Sequence, residues 1–400
     1  MSEIASLISG GLYGLLIVAS VGLALLTAVF FAQIALALLP TRLSAPASAR
    51  PRVALLVPAH NESSGILPTL KQARAQMLEG DRLLVVADNC DDDTAEQARS
   101  AGAEVTERFN EELRGKGYAL DHGVRHLATM PPDVVVVLDA DCALGPDCIN
   151  TIASRAFSTG RPVQALYLMT APESKLKMRV AEFAWRVKNW VRPRGMHRIG
   201  LPCGLYGTGM AFPWTVAVKA PFASGHLAED MQLGVRLAEL GAPPLFCETA
   251  SVCSVFPASK EGEKSQRTRW EHGHLSLLFS EGPRLLAKAL RHADWRRALQ
   301  IVDMLIPPLA LLAIVQSGVL VLSLAGWLLA AWAVPVIVSS VGLLLLITAI
   351  LLARARFAAD VLSLSDMVRA PGYVVAKLSV YTSFLVRRQV AWVRTKRDTK

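Results

Sequence analysis

The feature that most restricts this chain is its long charge-free stretches. Leu12 to Leu39 contains no charged residue, and it is long enough to cross a bilayer with some tilt. In hydrocarbon a single segment must satisfy its own backbone hydrogen bonds, so the stretch has to be helical. It is longer than the apolar core of a signal peptide, and no small-residue cleavage site precedes Pro40-Thr41-Arg42, so it reads as a membrane span. A second block, Ile301 to Leu352, is broken only by Asp303. It has room for two spans that meet around Gly326 to Pro335 in a short, uncharged turn. Pro307-Pro308 should kink or delay the first of them. The overall 52% hydrophobic content and mean hydropathy of +0.36 are too high for an ordinary soluble protein, and the excess lies in these blocks.

The spans divide the chain. Residues 1–40 are an N-terminal transmembrane helix and 41–52 a linker rich in Ser, Ala and Pro. Residues 53–283 form the domain between spans, with a basic helix at about 174–194. A further interfacial helix occupies 284–300, and the two transmembrane helices occupy 301–353. Residues 354–400 are a basic tail, in which 372–394 is either an interfacial helix or a short membrane helix. Arg42, Arg50 and Arg52 follow the first span, Arg291, Arg296 and Arg297 precede the second, and Arg354 and Arg356 follow the third. By the positive-inside rule the central domain and the tail face the cytoplasm, as in a multi-pass protein of the inner or plasma membrane. The net charge of +9 then points to anionic membrane lipids; no nucleic-acid motif accompanies it. The six cysteines fall in the cytoplasmic domain and match no zinc spacing, so they read as reduced, small buried hydrophobes.

Within the domain, short apolar strands alternate with helices, the pattern of a doubly wound, mostly parallel α/β sheet. Strands are expected at Val53–Pro58, Arg82–Ala87, Ala103–Glu107 and Val134–Leu138. Helices should follow at Ser63 or Ser64 to about Leu78, Thr94 to Gly102, and Tyr118 to Ala128. Past Asp141 the pattern becomes α+β. Such sheets bind ligands at the carboxyl ends of their strands, and carboxylates cluster there. Val134 to Leu138 ends in Asp139-Ala140-Asp141. Two hard oxygen ligands in that position suit Mg²⁺ or Mn²⁺ holding a phosphate-bearing substrate, although a polar loop capping the next helix has the same spelling.

Other stretches carry chemistry with a plainer alternative beside each. Asp88 ends the second strand, best placed to hydrogen-bond a nucleotide base or ribose, while Asp91 to Asp93 also read as a solvated helix start. Arg114-Gly115-Lys116-Gly117 is a flexible basic loop fit to meet phosphate, or a surface turn. Lys175 to Arg194 mixes cations with tryptophans, as an interfacial helix does; a solvated helix packed on the domain would look similar. Gly204 to Pro213, with Gly207 and Thr208, is a glycine-rich loop that lets another molecule approach the backbone. Glu229-Asp230 opens a helix, where acidic residues serve as caps or as a rigidly held base. Ser265 to His274 gathers a guanidinium, an amide and an indole, groups that bind diphosphate and sugar or line a membrane surface.

Taken in order, these pieces resemble the membrane-bound family 2 glycosyltransferases, the branch with cellulose, hyaluronan, chitin and poly-N-acetylglucosamine synthases and ceramide glucosyltransferases. The resemblance rests on Asp88, Asp139-Ala140-Asp141, Glu229-Asp230 and Gln266-Arg267-Thr268-Arg269-Trp270, with Val57 to Glu62 and Gly115-Lys116-Gly117 in support. It covers about Val53 to Trp270. It implies a GT-A-like doubly wound mixed sheet flanked by transmembrane and interfacial helices. It also implies that Asp88, Glu62, Lys116, Arg114 and Asp139 bind the nucleotide of a UDP-sugar and that Asp141 ligates Mg²⁺ or Mn²⁺. Asp230 would be the general base. Gln266, Arg269, Trp270, Glu229, Gly207 and Thr208 would line the acceptor and diphosphate region. At Ala87-Asp88-Asn89 the chain departs from relatives with adjacent aspartates, which leaves the nucleotide-side roles of Asp91 and Asp92 open.

The implied enzyme is an inverting, metal-dependent hexosyltransferase. It would pass a sugar to a lipid, glycolipid or short saccharide acceptor at the cytoplasmic membrane face. A processive polysaccharide synthase is the alternative, and three spans make a thin wall for a polymer channel. A membrane scaffold that binds nucleotide without catalysis is the remote one.

Overall fold

The computed structural model describes residues 2–40, 50–257 and 259–386. Most of the expected linker, with Arg42, and the tail beyond residue 386 lie outside the described residues. The central sheet has eight strands: β1 (Val53–Ala59), β2 (Arg82–Asp88), β3 (Glu104–Arg108), β4 (Val134–Val137), β5 (Ala143–Leu144), β6 (Val163–Thr170), β7 (Met210–Pro213) and β8 (Leu245–Val255). Their order is β3-β2-β1-β4-β7-β6-β8-β5. The first four in that order run parallel, and β6 runs parallel to β8; β7 and β5 are antiparallel to their neighbours. The sheet is therefore mixed.

The unbroken apolar runs follow from burial on both faces. Leu55, Val57, Val85 and Val136 pack on one side with Ile66, Leu70, Ile149 and Ile152. Their sequence neighbours Leu56, Leu84, Val135 and Val137 pack on the other with Leu120, Val124 and Leu127. Successive strand side chains point to opposite faces, so β4 needs four valines in a row.

One boundary differs from expectation for a local reason. Neither Ser63 nor Ser64 caps the first domain helix, which spans Ile66–Arg74 after Gly65. The Ser63 N–H instead donates to Asp92 at 3.2 Å, so the loop is tied to the neighbouring strand's loop and the helix starts later.

Among the described residues, three helices have the length and apolarity to cross a membrane, with spanning segments Ser6–Ala37, Leu309–Ala330 and Ala333–Phe357. Ile301 to Leu305 do not join the second span; they end an amphipathic helix, Trp295–Leu305. Pro307 and Pro308 break the backbone there, and Ile301 and Met304 turn inward to pack with Val235 and Leu277 of the domain. Helix Leu364–Ala376 has 13 residues, and helix Leu378–Val386 has nine up to the edge of the described residues; whether 372–394 enters a membrane lies partly outside them.

The basic stretch after β6 forms helix Leu176–Arg186, one π-helical turn Val187–Val191 and helix Arg192–Arg198. Its apolar side (Phe183, Val187, Val191) packs on Phe30, Ile34, Leu346 and Ala349 of the spans. Much of its charge is matched inside the protein: Arg179 with Asp366, Arg186 with Glu182, Arg194 with Glu248. Arg192 is the tightest tie. It donates to the Asp303 carboxylate at 2.7 Å and to Gln33 at 3.0 Å, while Gln33 donates to Asp303 at 2.8 Å. This buried triad joins the first span, the basic helix and the helix ahead of the second span.

Asp303→Ala leaves Arg192 buried without its carboxylate, which should cost about 3 kcal/mol. A clear fall in apparent unfolding temperature in detergent is expected, with a smaller fall for Gln33→Ala. An unchanged midpoint for Asp303→Ala would remove the triad from the account of how the domain is joined to the spans.

Candidate active site

The site grows from the end of β4. The Asp139 N–H donates to the buried Thr208 hydroxyl at 3.0 Å, and the Asp139 carboxylate takes an ion pair from Lys116. The Lys116 ammonium also donates to the Gly207 carbonyl at 2.8 Å. Gly207 has φ +89°, and a Cβ there would lie 3.4 Å from Asp230 Oδ2 and 3.5 Å from Lys116 Nζ. Four sequence motifs thus meet at one point. Gln164 holds the loop in place: its amide donates to the Thr208 carbonyl and accepts from the Tyr206 N–H, both at 2.8 Å.

The glycines around Lys116 serve packing. A Cβ on Gly117 would come within 2.4 Å of the Phe222 carbonyl oxygen, so the residue lets helix Lys116–Leu127 press against that backbone. Lys116 is thereby aimed inward at carboxylates; Arg114 stays exposed at the cleft edge.

Asp141 is exposed, and Asp139, Asp141 and Cys142 offer ligand atoms all within 4.8 Å of one another. Burial, with help from the two aspartates, pushes the Cys142 thiol well up. A protonated thiol is a poor ligand for a hard cation, so the useful donors are the two carboxylates.

Glu229 and Asp230 open helix Glu229–Glu239 with no side-chain cap from Ala228. The Asp230 carboxylate accepts the Met231 N–H at 2.8 Å. Burial raises the affinity of both carboxyls for a proton, and for Glu229 the charge of Asp230 adds to it. Lys188 opposes the shift at Asp230 and Lys116 opposes it at both, with Arg269 beside Glu229. Burial works against charge on Lys116 too, but Asp139 and the acidic pair outweigh it and hold the ammonium protonated.

On the far side lies a cleft of about 670 Å³ lined by His60, Asn61, Asp88, Asn89, Phe109 and Arg114. Asp88 is buried and paired with Arg108 at 2.6 Å, a consequence of the parallel register that sets the two side by side. Asn61 and Asn89 adopt φ of +54° and +52°, a strained conformation typical of ligand-facing turns. Asp91 bonds to Asn61, and Asp92 to Ser63 and Thr94. These two aspartates knit the loops together. The Glu62 N–H joins them by donating to Thr94 at 2.8 Å.

Gln266, Arg269 and Trp270 sit inside helix Lys260–Ser280, not in a turn. A Cβ on Gly273 would lie 3.0 Å from Leu227, so this helix presses directly on the approach to Glu229. Trp270 packs on Trp185 with ring centroids 4.8 Å apart. Both line a groove of about 700 Å³ that continues between the spans.

The model of the family described as "Glycosyltransferase like family 2" matches residues 51–273. The chain belongs to that family. A curated relative, the probable glycosyltransferase YdaM of Bacillus subtilis (strain 168), is 26% identical over 244 residues, 56% of this chain and 55% of the relative. The chain thus spans about half the length of that relative. The mannosyltransferase PcManGT of Pyrobaculum calidifontis, solved with GDP-mannose and Mn²⁺, has a TM-score of 0.56 at 18% identity, over 88% of this chain and 99% of that one. At that identity the likeness is one of fold, and the GT-A-like sheet expected from sequence is present.

Reading the sequence missed two residues of this glycosyltransferase's site. Arg108 carries no motif; only strand order reveals its pairing with Asp88. Lys188 was one cation among several, and the π-helical turn singles it out. Burial lowers its proton affinity while Asp230 opposes the shift, so the two groups act on each other electrostatically.

Lys188→Met removes a charge that favours ionised Asp230. The carboxyl's pKa should rise further, so less of it is ionised at neutral pH. The acid limb of the kcat profile should move to higher pH, with activity recovering under alkaline conditions. A limb that stays in place would show that Lys188 does not act on Asp230.

Proposed function

We propose that this glycosyltransferase moves one sugar from a UDP-sugar to a hydroxyl of a lipid, glycolipid or short saccharide at the cytoplasmic face of the inner membrane. What supports this reading is an apolar groove walled by the spans and lined at its domain end by Lys188, Gln266 and Trp270, with Lys188 acting electrostatically on Asp230. The processive synthase reading is the alternative; the three candidate spans among the described residues make a thin wall for a channel.

The residues divide the work by position. The cleft by Asp88, Phe109 and Arg114 takes the nucleotide, with the Asp88–Arg108 pair presenting fixed polar atoms to base or ribose. Glu62 stays at the loop that frames this cleft. Asp139 and Lys116 mark the boundary between nucleotide and acceptor, Gly207 and Thr208 its floor. Asp230 takes the proton of the acceptor hydroxyl as the acceptor oxygen attacks the anomeric carbon, a contribution of roughly 10²–10⁴-fold. Lys116 and Lys188 oppose the rise in proton affinity that burial causes in that carboxyl. Arg269 stabilises charge building on the leaving diphosphate, Gln266 and Trp270 bind the acceptor, and Glu229 positions it. One base and no second carboxylate placed as nucleophile favour a single displacement with inversion.

Asp141, with Asp139, has the hard oxygen chemistry that Mg²⁺ or Mn²⁺ requires, and Asp141 is exposed. A cation held there would neutralise the diphosphate.

Asp230→Asn should lower transfer by at least about a hundredfold while UDP and Mn²⁺ binding stay near wild type. Retained turnover would reassign the base. EDTA should abolish UDP release and added Mn²⁺ or Mg²⁺ restore it; undiminished release would remove Asp141 from metal binding. Incubating membranes with a panel of radiolabelled UDP-sugars and separating lipid-extractable product from polymer tests donor and acceptor together. Label found only in polymer would favour the processive alternative.

A further inference from the structure

The basic stretch up to Arg194 spends most of its charge on carboxylates, but the cations just beyond it do not. Helix Arg192–Arg198 runs along the end of the first span. Arg192 donates to Gln33 at 3.0 Å, and Arg194 donates to the carbonyls of Ala37 at 2.7 Å and Leu39 at 3.3 Å. His197 and Arg198 follow, where the span leaves the hydrocarbon. Arg155, on helix Cys148–Thr159, donates to His197 Nε2 at 3.2 Å. Arg161 donates to the Pro243 carbonyl at 2.8 Å. The adjoining Pro244 carbonyl accepts the Cys203 N–H, and the Cys203 carbonyl accepts from Gln300, both at 3.1 Å. Arg296 lies one turn before Gln300 on the same helix face, which brings it to this cluster.

These charges are unmatched. Among the described residues, Arg155, Arg161, Arg198 and Arg296 form no ion pair with a carboxylate. Glu248, the carboxylate that acts on His197 and Arg198, is already held by Arg194 and by the Trp190 indole. Three N–H donors are left over as well. Burial and the charges of Arg155 and Arg198 lower the proton affinity of His197. A neutral ring that accepts at Nε2 carries its proton on Nδ1, and Nδ1 has no partner; neither do Arg198 Nε and Nη2. Buried donors without acceptors are costly. Arg198 is only half-buried, so turning its side chain outward takes both N–H groups to an acceptor at the surface. That surface is also apolar: Leu39, Ile199 and Trp295 are 49%, 52% and 66% exposed.

We propose that Arg155, Arg161, His197, Arg198 and Arg296 bind the headgroup phosphate of an anionic phospholipid in the leaflet on the domain side, its acyl chains lying along Leu39, Ile199 and Trp295. Guanidinium forks match phosphate oxygens. The surplus of positive charge selects a headgroup of net negative charge over a zwitterionic one. The exposed apolar residues, with a tryptophan at the level of the headgroups, select a lipid over a free phosphate. None of the five cationic residues lines the cleft by Asp88 or the groove by Trp270. The site therefore stands apart from donor and acceptor, and it rests only on the spans crossing a bilayer. An occupied site ties helices Cys148–Thr159 and Arg192–Arg198 to the membrane surface.

The test uses the full-length protein in phosphatidylcholine nanodiscs with a trace of phosphatidylglycerol that carries a diazirine beside its headgroup. Photolabel should map to residues 38–40, 155–161, 197–201 and 295–299. Unlabelled phosphatidylglycerol added to the bilayer should displace it, with phosphatidylcholine and inorganic phosphate each at least about tenfold less effective. Arg155→Gln and Arg198→Gln should each cut labelling about fivefold, and the pair about thirtyfold, with unchanged UDP binding reporting that the variants are folded. Should the pair lose UDP binding, Arg296→Gln, at an exposed position, gives the same reading with a fivefold fall. Arg284→Gln with Arg291→Gln, exposed cations of the preceding helix Gly282–Arg291, should leave labelling in place. Labelling that is indifferent to Arg155→Gln, Arg198→Gln and Arg296→Gln, or that falls as far with the Arg284 and Arg291 pair, overturns the site in favour of a diffuse charged surface. Phosphatidylcholine that displaces the label equally well overturns the selection for charge. Inorganic phosphate that competes as well as the lipid overturns the lipid as occupant.

Discussion

The site is organised by one ammonium group among carboxylates. Lys116 pairs with Asp139, donates to the Gly207 carbonyl and stands beside Asp230. Without that cation, Asp139, Glu229 and Asp230 would face one another across a poorly hydrated floor, and like charges at such range repel strongly. With it, the end of β4, the glycine loop and the start of helix Glu229–Glu239 are held at one place. The glycines on either side follow from the same demand. Gly117 lets the lysine's helix approach the backbone at Phe222, and Gly207 leaves room for the lysine and Asp230 together.

A second polar tie sets the site against the membrane. The Arg192–Asp303–Gln33 triad joins helices that are far apart in the chain, and its desolvated partners leave it little freedom to slide. Directly ahead of Arg192 the helix widens into its π-helical turn, a distortion common at functional sites, and this turn carries Lys188 to the groove. Anchoring and chemistry therefore share one stretch of helix. The cations of that stretch read from sequence as a surface for anionic lipid; several are spent on carboxylates of the protein itself.

Much was legible beforehand because it depends on local chemistry. Buried parallel strands require continuous apolar runs, so β1, β2 and β4 stood out, and the acidic ends of β2 and β4 marked the ligand edge. The resemblance implied a mixed sheet and the pattern past Asp141 read as α+β, but the individual strands there were hidden, since β5, with two residues, and the four-residue β7 are too short to carry a period. The start of the first domain helix was misplaced because Ser63 bonds across to Asp92, and no local rule reports a partner 29 residues away. Arg108 could not have been chosen from sequence, since an arginine ending a strand carries no signal until its neighbour strand is known.

The sequence by itself determined that the chain carries segments long and apolar enough to cross a membrane, with an α/β domain between them. Hydrophobic length and motif order are properties of the chain, independent of how its parts meet. Only the tertiary structure decided which charges face each other. Asp88 meets Arg108, Lys116 meets Asp139, and Lys188 faces Asp230, because strand register, a glycine contact and a π-helical turn bring them within reach. The groove belongs to the same class: its walls come from helices as far apart in the chain as those carrying Phe30, Trp270, Ile347 and Leu378, which only the tertiary fold brings together.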